Sequence, residues 1–171
     1  MLNKDLLQEL FRHMEWADAL VWNAVLTTEG ARTDAKVQEY LQHVHTVQHA
    51  FFTLWRAEPL TGQFPTFADA VSLMIWGQSY YGDVHAYLAQ LTPEAAAKPL
   101  SPPWAAMIEK RLGRPPGATT IAETALQVAL HTTYHRGQIN ARLRALGADP
   151  PLVDYIAWLW QERPAATWPT V

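Results

Sequence analysis

Two histidines one helical turn apart are the residues of this sequence whose spacing most directly suggests chemistry. His131 and His135 are four positions apart, and a helix brings side chains at this interval onto one face. Two imidazoles placed in this way can give two nitrogen ligands to one metal ion, as a helix of the zinc proteases does. The alternative interpretation is a pair of half-buried histidines satisfied by hydrogen bonds, although two polar rings are costly to bury without partners.

The composition limits which ligands could complete such a site. The chain has 171 residues, of which 49% are hydrophobic, and it contains 7 His and no Cys. The absence of cysteine excludes disulfides, a cysteine nucleophile, thiolate metal sites and iron–sulfur clusters. A bound metal would therefore be held by histidines and carboxylates.

A third ligand must come from another helix, and the second helix offers two candidates. His43 and His45 lie about equally far from the centre of that helix's apolar face, on opposite flanks, so helical geometry does not choose between them. His49 points further from this face, and we predict that it is solvated. For His13 and His85, which have no partner at ligand spacing, we predict surface or helix-packing positions.

Four segments have helical periodicity, because their apolar side chains recur at intervals of three and four. These segments position the histidines. We predict helices at residues 4–26, 33–57, 66–91 and 120–146. Thr66 and Asp69 resemble a capping box for the third helix, and Thr120 with Glu123 forms one for the fourth. Gly77, within the third helix, indicates close helix contact or a bend.

The connection between the third and fourth helices differs from the others. Residues 93–118 carry six of the 12 Pro, and a connection this long is usually functional or ordered by packing. We predict a crossover loop with a short hairpin or helical turn, followed after the fourth helix by a fifth helix at 153–162. The predicted fold is all-α, a four-helix bundle with one long crossover connection and a short C-terminal fifth helix. One domain would span residues 1–163, with a tail at 164–171 that is poorly ordered unless Trp168 anchors it.

The charge and hydropathy of the chain limit the kinds of molecule that it could bind. A formal net charge of -3 gives no basic face for nucleic acid, and no segment approaches the ~20 apolar residues that a membrane span needs. Glycine-rich phosphate loops and nucleophile-elbow serines are also absent. We predict a cytoplasmic protein that acts on a small molecule.

The motifs around these histidines resemble those of the DinB/YfiT-like superfamily. Residues 131–138, HTTYHRGQ, resemble its H-x-x-x-H-R-G-Q signature, and residues 13–18, HMEWAD, resemble its W-A-N element with Asp18 in place of Asn. Residues 41–48, LQHVHTVQ, resemble its second-helix motif. In that register His43 takes the ligand position and Gln48 stands where an acidic residue is usual.

The resemblance implies a three-histidine site of His43, His131 and His135 that binds a divalent transition metal, namely nickel, zinc or iron. It also implies a homodimer. Characterised relatives include thiol-dependent transferases and isomerases that use bacillithiol, mycothiol or glutathione. The second histidine beside the expected ligand, His45, is the alternative third ligand.

The resemblance favours a metal-dependent transferase that uses a low-molecular-weight thiol, whose pKa the metal would lower. The thiol would come from a cosubstrate, since the chain has no cysteine. The alternatives are a metal-dependent hydrolase and a non-catalytic, metal-binding, dimerising stress-response bundle.

Four polar residues are candidates for supporting such a site. Gln138 and Gln48 could orient ligands by hydrogen bonds from outside the coordination shell. Arg136 and Arg142 could steer an anionic cosubstrate, or could instead be solvated surface arginines or members of salt bridges.

Overall fold

A computed structural model describes residues 4–62 and 64–170, and four long helices form its body. In chain order the elements are α1 (Lys4–Thr27), α2 (Ala35–Trp55), α3 (Ala70–Gln90), α4 (Pro93–Ala96), β1 (Pro99–Leu100), α5 (Ala105–Leu112), β2 (Thr119–Thr120), α6 (Ile121–Ala145) and α7 (Tyr155–Trp160). A 3-10 turn at Ala31–Thr33 precedes α2. Helices α1 and α2 each pack against both α3 and α6. The predicted all-α helical bundle is confirmed.

Capping side chains fix where the long helices begin. Asp34 accepts hydrogen bonds from the backbone amides of Lys36 and Val37 at the start of α2. At α6 the predicted capping box of Thr120 and Glu123 is present. These contacts satisfy amides that have no partner within the helix.

The predicted start of α3 is wrong by one turn. Asp69 caps the helix and accepts from the backbone amide of Ser72, whose side chain accepts in return from the backbone amide of Asp69. The box therefore uses Asp69 as its first member, whereas Thr66 lies outside the helix. A short side chain at either position can accept this hydrogen bond, so the sequence pattern fitted both.

The long crossover between α3 and α6 contains the short elements that its sequence predicted. Strands β1 and β2 pair antiparallel, with Pro99 opposite Thr120 and Leu100 opposite Thr119, so the crossover is joined to the residues that cap α6. Between them lies α5, none of whose residues is buried.

A buried polar layer separates two apolar cores inside the bundle. One core contains Phe11, Phe52 and Tyr80, and the other contains Trp22, Leu73 and Leu143. Between them the interior holds polar side chains from all four long helices, which are Asp18, His45, Gln48, Tyr81, Thr132 and Arg136.

The C-terminal segment packs on the outside of the bundle. Trp158 of α7 packs against Trp16 and Ala17. The indole of Trp168 donates to Glu15 at 3.2 Å and lies 5.8 Å from the ring of Tyr81, so Trp168 anchors the tail, which is the alternative to the poorly ordered tail that the sequence predicts. Residues 1–3 and 63 of the predicted domain and residue 171 of the predicted tail lie outside the described residues. Among residues 4–62 and 64–170, no helix combines the length and the apolar character that a membrane span requires.

Candidate metal site

Three imidazoles from two helices converge on one point beside the bundle interior. His43 comes from α2, and His131 and His135 come from α6. The Nε2 atom of His131 lies 3.2 Å from that of His43 and 3.1 Å from that of His135, and the potential ligand atoms of the three residues all lie within 4.8 Å of one another. Two nitrogens bound to one ion at about 2.0–2.1 Å lie about 3.0–3.4 Å apart. The spacing suits nitrogens that share an ion, and the same separations are also hydrogen-bond distances between the rings.

The environment favours the neutral form of two of the ligand candidates, His43 and His131. Burial lowers the pKa of His43, and the neighbouring His135 lowers it further. Burial first, then His135 and His43, lower the pKa of His131 to about 4. A neutral imidazole retains the lone pair that a metal requires, so near neutral pH these two rings are in the ligating form.

Gln138 determines which nitrogen of His135 is free. The Nδ1 of His135 donates to Oε1 of Gln138 at 2.6 Å, because an amide oxygen can only accept. The proton therefore sits on Nδ1, and Nε2 keeps its lone pair toward the other two histidines. The amide nitrogen of Gln138 donates to the hydroxyl of Tyr134 at 3.4 Å. This arrangement is the usual way in which a protein orients a metal-binding histidine from outside the coordination shell.

His45, the alternative third ligand, lies elsewhere. It is 1% exposed, its Nε2 accepts from the indole of Trp22 at 2.9 Å, and its Nδ1 donates to Oε1 of Gln48 at 2.7 Å. Both ring nitrogens are thus engaged in the polar layer. The structure brings His43, and not His45, together with the α6 pair.

Gly77 makes room for the His45 ring. A Cβ built at Gly77 would lie 2.5 Å from two atoms of this ring, so the backbone of α3 and the imidazole touch directly. The predicted close helix contact is therefore confirmed at this glycine.

An ion pair and a tyrosine complete the polar layer. Arg136 donates to Oδ1 of Asp18 at 2.7 Å, with both side chains buried. The other oxygen of Asp18 accepts from the amide of Gln48 at 3.0 Å and from the hydroxyl of Tyr81. Burial and then Asp18 raise the pKa of Tyr81 well above its usual value, so its hydroxyl remains a donor. Each helix of the bundle therefore contributes to one hydrogen-bonded network.

The two arginines considered for steering both form salt bridges. Arg136 is buried against Asp18, so the interpretation as a solvated arginine is wrong for it. Arg142 donates to both carboxylate oxygens of Asp34 at 2.6–3.1 Å, and this pairing holds the pKa of Asp34 to about 2. Arg142 therefore ties the C-terminal end of α6 to the cap of α2.

The three remaining histidines do not join the ligand cluster. His13 is buried and donates to the backbone oxygen of Val153 at 2.9 Å, and His85 contacts Glu15 at 2.7 Å. The prediction that His49 is solvated is wrong. This residue is half-buried, donates to the backbone oxygen of Trp76 at 3.0 Å and stacks on its ring.

Sequence reasoning missed the partners within the polar layer. Asp18 and Arg136 both occur in the motifs that drew attention to α1 and α6, but they are 118 positions apart. Tyr81 carried no signal of its own, since a tyrosine in an apolar helix is typical of core packing.

A large cavity begins beside the ligand cluster. It has a volume of about 1290 Å³ and lies between α2, the crossover and the first half of α6. His43 and His131 line it, together with apolar side chains that include Val47, Phe51 and Trp104. Three nitrogen ligands with space beside them are typical of a catalytic metal centre, whereas a structural centre has four protein ligands.

Comparison with known proteins gives one match. A model described as DinB family matches residues 1–167. No curated protein and no solved structure matches the chain.

Proposed function

The chain belongs to the DinB family, and from this premise we propose that it is an enzyme dependent on a divalent transition metal held by His43, His131 and His135. The observation that carries the proposal is the approach of three Nε2 atoms from two helices, with separations of 3.1 and 3.2 Å about His131. An all-imidazole donor set suits zinc, nickel and iron.

We propose a thiol-dependent group transfer as the reaction. A bound ion of this kind lowers the pKa of a thiol and so supplies a thiolate nucleophile near neutral pH. The chain contains no cysteine, so the thiol belongs to a low-molecular-weight cosubstrate. Gln138 orients His135 through Nδ1, while Gln48 and Arg142 act indirectly by fixing α1, α2 and α6 relative to one another.

The cavity favours thiol transfer over hydrolysis. Its walls are largely apolar, so the space beside His43 and His131 suits the organic part of a substrate. Among the residues described as lining it, the one carboxylate is that of Glu123, and this group is held by the amide and hydroxyl of Thr120 at 2.8 Å. This carboxylate is therefore not free to serve as a general base for hydrolysis.

Metal content tests the first half of the proposal. Mass spectrometry of the purified protein should give about one transition-metal ion per chain, as expected for one three-histidine site. The ion should be lost in His131→Ala and kept in His85→Ala, since His85 lies outside the cluster. A wild-type protein that never retains a transition metal overturns the metal site.

Activity tests the second half. The metal-loaded protein should conjugate bacillithiol or glutathione to 1-chloro-2,4-dinitrobenzene faster than the His43→Ala/His131→Ala variant. Equal rates from a metal-loaded wild type contradict the transferase proposal and leave the non-catalytic metal-binding stress-response bundle.

We also propose that the protein is a homodimer. Ile156 and Trp160 lie about one turn apart on α7 and are exposed, Trp160 by 78%, and Leu152, just before the helix, is exposed as well. Exposed apolar patches are common at protein interfaces. Sedimentation equilibrium should give twice the chain mass, and Trp160→Glu should give the monomer.

A further inference from the structure

Helix α5 lies over the cavity without burying any of its own residues. One face of this helix, from its N-cap Trp104 through Ile108 to Arg111, lines the cavity, and Ile108 is 40% exposed. A helix of eight residues has little stability in isolation and normally gains it by packing an apolar face on a core. The apolar face of α5 instead points into a space large enough for a small molecule.

The walls of the cavity suit an apolar body. Phe51 on α2 and Trp104 at the start of α5 stand edge to face, with ring centroids 5.1 Å apart. Val47 and Ile108 extend this surface on either side. The volume of about 1290 Å³ is at or above the upper end of the roughly 300–1,000 Å³ found for small-molecule sites. An alkyl or aryl group can therefore be enclosed between α2 and α5.

One positive charge lines the cavity without an ion-pair partner among the described residues. Arg111 lines it, and within residues 4–62 and 64–170 it has no ion pair or hydrogen bond, in contrast to Arg136 and Arg142. Glu123 also lines the cavity and carries a negative charge, but its carboxylate accepts from the amide and hydroxyl of Thr120 and does not pair with Arg111. A guanidinium presents a planar fork of donors that matches a carboxylate.

We propose that this cavity binds an amphipathic organic anion, with an alkyl or aryl body between α2 and α5 and a carboxylate at Arg111. This deepens the proposed function and rests on it, because the cavity opens beside the proposed metal ligands His43 and His131 and would hold the anion there. The two aromatic walls and Ile108 select for the apolar body, and Arg111 selects for the negative charge.

Calorimetric titration with octanoate and with 1-octanol tests the inference, since the two probes share a chain length and differ in charge. Octanoate should bind the wild-type protein, both as purified and after chelation of metal. Arg111→Gln should weaken octanoate binding about tenfold, as expected for loss of a charge-assisted contact, and should leave 1-octanol unchanged. Lys110→Gln is the matched control, because its side chain is exposed and is not part of the cavity lining.

A second variant tests the apolar part. Ile108→Asp should weaken both probes at least about tenfold, since it places a charge against the apolar body, and it should not unfold the protein because α5 has no buried residue. Absence of octanoate binding, or binding that Arg111→Gln and Ile108→Asp leave unchanged, overturns the inference. Conversion of a dimer to a monomer by Ile108→Asp, without probe binding, would instead assign this face to a second copy of the chain.

The same samples distinguish the two proposals. Metal content is measured for each, so a protein without metal that still binds octanoate contradicts the proposed function alone. A metal-loaded protein that fails to bind octanoate contradicts the present inference alone.

Discussion

The indole N–H of Trp22 donates to Nε2 of His45 at 2.9 Å inside the bundle. This contact assigns the proton of the imidazole to Nδ1, which donates to Gln48, so His45 is neutral and has no lone pair left for a metal. Burial agrees with this assignment, since it lowers the pKa of His45. His45, two positions from the proposed ligand His43, is therefore held in the bundle interior by its two hydrogen bonds.

The contact between Gly77 and His45 predicts opposite effects for two similar substitutions. Gly77→Ala should lower the free energy of unfolding by about 1–3 kcal/mol, as overpacking does, because the imidazole is held on both nitrogens and cannot move away from the new Cβ. Gly82→Ala, in the same helix, meets nothing within 4 Å and should be neutral or stabilising by up to about 1 kcal/mol. Urea unfolding measures both, and equal effects would contradict the close contact.

The buried ion pair predicts a non-additive result. Asp18→Asn should destabilise the protein by about 3–5 kcal/mol, because it leaves the guanidinium of Arg136 buried without a counter-charge. Adding Arg136→Met to that variant should recover much of the loss. A double-mutant cycle from urea unfolding gives the coupling free energy between Asp18 and Arg136. Additive effects would contradict a direct pairing of these residues in the interior.

The hydrogen bond from His135 to Gln138 predicts a change in metal affinity. Gln138→Leu should weaken metal binding about 10–100-fold, as loss of an orienting partner typically does, while the helix remains folded. Gln78→Leu is the control, since Gln78 is an exposed glutamine of α3 that neither lines the cavity nor bonds to any of the three histidines. Competition with a chromophoric chelator measures both affinities, and matched affinities would rule out an orienting role for Gln138.

His49 predicts a dependence of stability on pH. Burial lowers its pKa to about 4, from about 6.5 in the unfolded chain. Because the folded-state pKa is the lower one, the unfolded chain takes up the proton first, so the stability contributed by neutral His49 is complete above about pH 6.5 and is lost as the pH falls toward 4.

His49→Phe should flatten this decline while keeping a ring stacked on Trp76. We expect the difference between pH 7 and pH 4 to shrink by roughly 2 kcal/mol, a value reduced for the partial solvent exposure of the ring. Unfolding curves at a series of pH values test this. If the free energy of unfolding falls equally with pH in wild type and in His49→Phe, then His49 does not contribute to the pH dependence of stability.

Local features of the site were predictable from sequence, and features that depend on helix arrangement were not. His131 and His135 share a face because they lie one turn apart, and Thr120 with Glu123 caps α6 for equally local reasons. By contrast, the choice of His43 over His45 as neighbour of the α6 pair depends on which flank of α2 faces α6. That information lies in the packing of α2 and not in its own periodicity.

Long-range partners account for the other differences. His49 was predicted to be solvated because it is off the apolar face of α2, but Trp76 of α3 covers it. The salt bridge between Asp18 and Arg136 likewise joins residues that become neighbours once α1 and α6 are packed together. Such pairings are visible in a structure and have no counterpart in the spacing of either helix.

The buried polar layer has a further consequence, which concerns the sliding of the helices along one another. A shift by one turn moves a helix about 5.4 Å along its neighbours. Here such a shift of α6 would separate Arg136 from Asp18 and bury both charges among apolar side chains. A single buried polar group fixes the register of coiled coils in this way. The same alignment holds His131 and His135 opposite His43, so the ion pair keeps three ligand candidates in place without touching any of them.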